Sequence, residues 1–134
     1  MPANQKQIER WEQRFPALQD VWSLSPLQSG LLFHASLAAE SMDVYTAQLR
    51  IDFEGEVDAA RLRAAAAALL ARHANLRTAF VYDDGVPAQV VLDAVEVPWR
   101  EVDLTTAGTE TELARLLDED RSARFDLARP PCSG

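Results

Sequence analysis

A hairpin over residues 76–92 constrains the fold more than any other feature of this sequence. The stretch LRTAFVY is followed by Asp83, Asp84 and Gly85 and then by PAQVVL. An Asp-Gly pair supplies the positive φ that tight hairpin turns require, so the two stretches are predicted to pair as antiparallel strands. Antiparallel pairing argues against a doubly wound parallel sheet, in which helices connect parallel strands.

Helices and further strands are predicted on both sides of this hairpin. Apolar residues at helical spacing indicate helices, and alternation of apolar and polar residues indicates strands. The predicted helices cover residues 4–15, 25–40, 58–74 and 109–122, and the further strands cover residues 44–53 and 97–104. This order predicts an α/β fold in which helices pack on a largely antiparallel sheet.

Capping signals place the starts of two helices. Ser25 with Gln28, and Thr109 with Glu112, have the spacing of a capping box. Apolar residues lie around most of the circumference of the helix that begins at Ser25, which predicts that this helix is well buried. Gly30 lowers the stability of that helix relative to alanine, so we expect another element to pack closely against its backbone.

Charge and composition exclude several classes of function. The formal net charge is −8 and the acidic residues are scattered, so no basic stripe is present for nucleic acid or anionic membranes. The single cysteine, Cys132, cannot form an internal disulfide, and with two histidines a zinc site of familiar spacing is missing. Residues 1–20 are polar and the apolar stretch 64–71 is too short to cross a bilayer, which predicts a soluble cytoplasmic chain.

The residue pattern alone indicates no active site. No G-x-S-x-G or phosphate-binding loop occurs in the sequence, and Ser25 is explained as a helix cap. His34 and His73 each lie in a predicted helix among apolar residues, so we interpret both as hydrogen-bonded core residues rather than general bases.

Two segments change this interpretation. Residues 25–34, SPLQSGLLFH, resemble the first core motif of the condensation domains of nonribosomal peptide synthetases. Residues 72–80, RHANLRTAF, resemble the second motif, RHExLRTxF, with Ala74 at the glutamate position. The later segment RFDLARPP, residues 124–131, also fits the family, and the resemblance covers about residues 20–131.

The resemblance implies a chloramphenicol-acetyltransferase-like fold, of which this chain would be the N-terminal half of one lobe. In that family two lobes enclose a tunnel that donor and acceptor carrier proteins enter from opposite faces. Each carrier presents an aminoacyl or peptidyl thioester on its 4'-phosphopantetheine arm, and the acceptor amine attacks the donor thioester to form an amide bond. The implied partners are therefore carrier proteins and an upstream synthetase, with no cofactor or metal bound directly by this chain.

Catalysis in the family is associated with HHxxxDG, which this sequence does not contain. The resemblance places that motif beyond the RFDLARPP segment, so we expect a truncated domain that is inactive alone and assign no catalytic residue. The residues assigned to support of the active site are Ser25, Gln28, Gly30, Arg72, His73 and Arg77.

The resemblance implies that Arg77 pairs with the aspartate of HHxxxDG. A buried guanidinium without its partner would destabilise the chain by about 3–5 kcal/mol. We therefore expect Arg77 to reach water, to recruit an Asp or Glu, or to leave the chain marginally stable. For Arg72, an ordinary surface charge is an equally good interpretation.

Several alternatives stay open. Residues 1–20 are interpreted as a leader helix that packs on its own domain or docks an upstream protein, and residues 21–134 as the condensation segment. An epimerization domain shares the fold and related motifs, and a non-catalytic docking module would need no HHxxxDG. The SPLQxGLLFH form resembles condensation domains that accept a D-configured donor.

A truncated lobe is also expected to self-associate through an exposed sheet edge or apolar face.

Overall fold

The computed structural model describes residues 3–37, 46–83, 85–105, 108–123 and 126–129. In these ranges the chain is α/β, with helices and one antiparallel sheet. The elements are α1 (Gln5–Arg14), β1 (Leu18–Ser23), α2 (Pro26–Leu37), α3 (Ala59–Arg72), a 3-10 turn (Ala74–Leu76), β2 (Thr78–Asp83), β3 (Val86–Leu92) and α4 (Thr109–Ser122).

The predicted hairpin is confirmed. Strands β2 and β3 pair antiparallel from Thr78 opposite Val91 to Asp83 opposite Val86. Gly85 has a φ of 75°, the left-handed conformation that its place in the turn requires. Asp84 lies outside the described residues.

Strand β1 was not predicted, yet it completes the sheet. It pairs antiparallel with β3, with Val21 opposite Val90 and Trp22 opposite Gln89. The register shifts between Leu18 and Asp20, so the strand does not show a regular alternation of buried and exposed residues. Because β1 and β2 flank it, β3 is the central strand.

Helix α1 covers one face of this sheet. Its Trp11, together with Phe15 just beyond its end, packs against buried side chains of β2 and β3. These sheet residues are Ala79, Val81, Ala88 and Val90. The predicted helix over residues 4–15 is therefore confirmed, and its apolar stripe faces the core of its own chain.

Polar contacts tie α1 to the turn of the hairpin. Asn4 and Gln7 form a reciprocal capping box, and the Gln7 side chain is buried. The Nε2 of Gln7 donates to the carbonyl oxygen of Asp83 at 3.0 Å. Arg10 donates to the Asp83 carboxylate through Nε at 2.9 Å and Nη2 at 2.7 Å.

Two predicted strands do not form in the described residues. The first covers residues 44–53, of which residues 46–53 have no strand structure and 44–45 lie outside the described residues. The second covers residues 97–104, which also form no strand. Alternation of apolar and polar residues makes a strand only where another strand supplies hydrogen-bonding partners, and no described strand pairs with either segment.

The prediction that α2 is well buried is wrong. None of its residues is buried, and 73% of Leu27 and 67% of Leu37 are exposed to solvent. The close approach expected at Gly30 is also missing, since a Cβ added there would meet no atom within 4 Å. Apolar residues on all sides of a helix can be buried only by elements packed around it, and the described residues do not surround α2.

Helices α3 and α4 occur where they were predicted, but the N-cap of α4 differs from the prediction. Asp58 caps α3 by accepting from the Arg61 backbone N–H, and the apolar residues Leu62 and Leu69 on this helix are exposed. The capping box of Thr109 is wrong because Gly108 is the N-cap of α4 and supplies no side chain. The Thr109 hydroxyl instead donates to the carbonyl oxygen of Leu104, at 2.5 Å.

Candidate functional site

Arg77, in the second predicted motif, is buried at the junction of three elements. It lies between the 3-10 turn and β2, and only 6% of it is exposed. Its Nη1 donates to the carbonyl oxygens of Leu70 at 2.7 Å and Ala71 at 2.9 Å, both in the last turn of α3. Its Nε donates to Leu92 O at 2.8 Å and its Nη2 to Gln19 Oε1 at 3.1 Å.

This arrangement differs from what we expected for Arg77. The guanidinium neither reaches water nor pairs with a described carboxylate, because carbonyl and amide oxygens accept its hydrogen bonds. Two of these carbonyls belong to the C-terminal turn of α3, where the helix dipole favours a cation. Arg77 therefore satisfies the end of α3 and joins it to β1 and β3.

The first motif begins with the predicted capping box. The Ser25 backbone N–H donates to Gln28 Oε1 at 2.8 Å, and the Gln28 backbone N–H donates to Ser25 Oγ at 3.2 Å. Together the two bonds satisfy the backbone N–H of Ser25, just before the helix, and the backbone N–H of Gln28, in its first turn. The prediction of this cap is confirmed.

A third residue joins this cap to the sheet. Gln89, on the central strand β3, is buried and donates from Nε2 to Gln28 Oε1 at 3.0 Å. A longer contact of 3.4 Å runs from the same Nε2 to the carbonyl oxygen of Ser23, the last residue of β1. The first turn of α2 is therefore fixed to β3 by a side-chain amide.

The two motif segments thus meet on the same strand. Gln89 lies directly opposite Phe80, the last residue of the second motif, in the pairing of β2 with β3. Residues opposite one another in an antiparallel pair project on the same face, and neighbours along a strand project on opposite faces. Gln89 and Phe80 are therefore on the face opposite the core of Trp11, Ala79 and Val90.

The remaining predicted site residues are exposed. Gly30 lies on the surface of α2, Arg72 is the exposed last residue of α3, and His73 follows it as the C-cap. His34 is exposed on α2, with its ring edge-on to Phe33 at a centroid distance of 5.9 Å. The prediction that His34 and His73 are core residues is therefore wrong, because the helices that carry them are not covered by described elements.

Ionic contacts organise a separate region around α4. Hydrogen bonding from Arg115 lowers the pKa of Glu112 below its ordinary value, and the same pairing raises the pKa of Arg115. The Thr105 backbone and side chain lower the pKa of Asp103 in the same way. Asp103 and Arg115 are exposed and Glu112 is half-exposed, so these are surface interactions rather than groups tuned for catalysis.

Gln19 and Gln89 were not predicted from the sequence. A usable signal existed for Gln89, because a glutamine stands in the apolar strand PAQVVL, where a polar side chain requires a hydrogen-bonding partner. For Gln19 no such signal is visible, since β1 itself was not predicted.

Among the described residues, no group of three or more His, Cys, Asp or Glu side chains could hold a metal ion. None of the described helices combines the length and apolar character needed to span a membrane.

Comparison with known proteins matches the chain to one family and to several relatives. The model of a family described as "Condensation domain" matches residues 18–133. One of the linear gramicidin synthase proteins of Brevibacillus parabrevis is 38% identical over 136 aligned positions, which cover 96% of this chain and 3% of that protein. Malpinin synthetase of Mortierella alpina is 36% identical over 96% of this chain and 2% of its own length. Bacitracin synthase 3 of Bacillus licheniformis is 30% identical over 84% of this chain, again 2% of its own length.

Proposed function

Because the chain belongs to the condensation domain family, we propose that it forms part of a condensation domain in a nonribosomal peptide synthetase. Such a domain joins aminoacyl or peptidyl thioesters by amide bonds in the synthesis of secondary-metabolite peptides, antibiotics among them. The chain spans 2–3% of the length of these relatives, so the activity and its partners are inferred for a larger protein. We place that protein in the cytoplasm.

One structural observation carries the proposal. The two segments with condensation motifs are far apart in sequence, yet both are anchored on β3: the first through Gln28 and Gln89, the second through Arg77 and Leu92. A central strand that holds both motifs can keep them in fixed relative positions while substrates and carrier proteins exchange.

The chemistry proposed for the complete domain is acyl transfer between two carrier proteins. Each carrier holds its substrate as a thioester on phosphopantetheine. The acceptor amine attacks the donor thioester carbonyl, an amide bond forms, the carbon–sulfur bond breaks, and the donor thiol is released. The motif associated with this step, HHxxxDG, is not in the 134 residues, so the role we assign to this chain is to support the active site.

A chimera tests the proposal directly. Residues 18–133 of this chain replace the matched segment of the linear gramicidin synthase compared above, and the purified protein is mixed with donor and acceptor carrier proteins loaded with aminoacyl thioesters. We expect the acceptor carrier to gain a dipeptidyl thioester detectable by intact-mass spectrometry. The 134-residue chain alone, under the same conditions, is expected to form none.

Two outcomes would contradict the proposal. A folded chimera that forms no amide bond, beside an active unmodified synthetase, would show that this segment cannot support condensation. Epimerization of the loaded residue without peptide formation, detected by chiral analysis of the released amino acid, would favour the epimerization alternative. A docking role for α1 is less well supported, because its Trp11 is already buried against the sheet.

A further inference from the structure

We propose that Gln89 is a positioning residue whose side-chain amide fixes the first turn of α2, and with it the first condensation motif, on the central strand. The inference deepens the proposed function and rests on it, because it assigns to Gln89 the placement of a segment that the function requires. It follows from the contact between Gln89 Nε2 and Gln28 Oε1, at 3.0 Å.

The directions of the surrounding hydrogen bonds make the side-chain amide of Gln28 the acceptor and that of Gln89 the donor in this contact. The backbone N–H of Ser25 can only donate, and it donates to Gln28 Oε1 at 2.8 Å. Any second partner of that oxygen must therefore also be a donor, and Gln89 supplies its NH₂ group. The carbonyl oxygen of Ser23, 3.4 Å from the same nitrogen, is a further acceptor on the same side.

Burial makes this contact specific. Gln89 is 6% exposed, whereas Ser25 is exposed and Gln28 is half-buried. A buried amide that loses its partner carries the cost of desolvation without the compensating hydrogen bond, so Gln89 favours the position of α2 in which Gln28 reaches it. No residue of α2 is buried, so apolar packing fixes this helix weakly and the polar bridge matters correspondingly more.

Donor and acceptor roles predict a ranked set of variants. Gln28→Glu keeps an acceptor for both donors and should preserve the bridge. Gln89→Met keeps the length of the side chain and removes its polar group. Gln89→Glu replaces the donor with a carboxylate that faces the oxygens of Gln28 and Ser23, and should disrupt the bridge most at neutral pH.

The experiment is amide hydrogen exchange by NMR on the 134-residue chain and these variants, expressed as protection factors. In Gln89→Met we expect the protection of the Ser25 and Gln28 amides to fall about tenfold, the scale of one lost hydrogen bond. The Val90 amide, in the same strand, should keep its protection within about twofold. Gln89→Glu should lose more at neutral pH and recover part of the loss in acid, because the protonated carboxyl donates again.

Three results would overturn the inference. Val90 protection could fall in parallel with that of Ser25, which would make Gln89 a contributor to general stability only. Ser25 protection could be unchanged in both Gln89 variants. Gln28→Met, which removes the acceptor oxygen at the half-buried end of the same bridge, could behave like Gln28→Glu. The measurement uses no thioester or carrier protein, so failure of the condensation proposal would leave its result interpretable.

Discussion

The guanidinium of Arg77 donates to the carbonyl oxygen of Leu70 at 2.7 Å, across the C-terminal end of α3. A second bond to Ala71 and further bonds to Leu92 and Gln19 surround the group with neutral oxygens. The charge is thus held by helix and strand carbonyls, and the last turn of α3 gains the partners that helix ends otherwise lack. The fold of this chain stabilises Arg77 without a described carboxylate.

Replacing Arg77 should therefore destabilise the chain strongly. We expect Arg77→Met to lower the free energy of unfolding by about 3 kcal/mol, because buried carbonyls lose charged donors. Arg77→Lys should lose about 1–2 kcal/mol, since one ammonium group cannot reproduce the fork of a guanidinium. Urea denaturation followed by circular dichroism measures both.

Arg72→Met is the matched control for these variants. Arg72 is exposed at the end of α3, where surface substitutions usually change stability by less than about 0.5 kcal/mol. If Arg77→Met and Arg72→Met had equal urea midpoints, the hydrogen bonds from Arg77 to its surrounding oxygens would contribute nothing measurable to stability.

Local signals made part of this fold predictable from sequence. The hairpin and the helices over residues 4–15 and 109–122 were predicted because turn chemistry and helical spacing act between near neighbours. Strand β1 was missed since LQDVWS has no regular alternation, and only pairing with β3 makes it a strand. The strand predicted over residues 44–53 failed for the opposite reason. Apolar and polar residues alternate in this segment, but its described residues 46–53 pair with no described strand.

The candidate site divides in the same way. The cap of Ser25 and Gln28 was predicted because both residues lie in one helical turn. The acceptors of Arg77 and the bridge from Gln89 were not, because they join residues that are distant in sequence. Motif resemblance identified Arg77 as important but could not indicate which oxygens would surround it.

Trp11 should contribute most to holding α1 on the sheet. It is 3% exposed, and Trp11→Ala leaves a cavity against Ala79 and Val90. We expect a loss of about 3–5 kcal/mol, the usual cost of truncating a buried aromatic side chain. Trp22→Ala is the matched control, because Trp22 is 37% exposed and should lose about 1 kcal/mol. Equal losses in thermal unfolding would mean that α1 does not share the core of the sheet.

Two glycines should respond to alanine in opposite directions. Gly85 has a φ of 75°, so Gly85→Ala should cost about 1–2 kcal/mol. Gly30 lies within α2 and a Cβ there meets open space, so Gly30→Ala should stabilise the chain by about 0.5–1 kcal/mol. Differential scanning calorimetry measures both changes. A loss of stability in Gly30→Ala would indicate that α2 is not helical at this position in solution.

The pairing of Glu112 with Arg115 predicts a pH dependence confined to α4. Hydrogen bonding from Arg115 lowers the folded-state pKa of Glu112 from its ordinary, unfolded-state value. The contribution of this ion pair to folding stability is therefore fully present above the unfolded-state pKa of Glu112. It is lost as the pH falls through the lowered, folded-state pKa. NMR titration of the Glu112 carboxyl carbon should give a midpoint below that of an ordinary glutamate, and Arg115→Met should raise that midpoint. An identical midpoint in both proteins would contradict the pairing.

Exposed apolar side chains on α2 predict self-association of the chain. Leu27, Phe33 and Leu37 are all more than half exposed, and burying them against a second copy removes apolar surface from water. We expect sedimentation velocity to show a mass that rises with concentration, and Phe33→Glu with Leu37→Glu to restore the monomer. Ala65→Glu with Ala68→Glu, at exposed positions of α3, adds the same charge without removing these side chains and should leave the association in place. If that control also gave a monomer, net charge rather than the surface of α2 would govern the association. A mass that stayed monomeric at every concentration of the unmodified chain would exclude self-association.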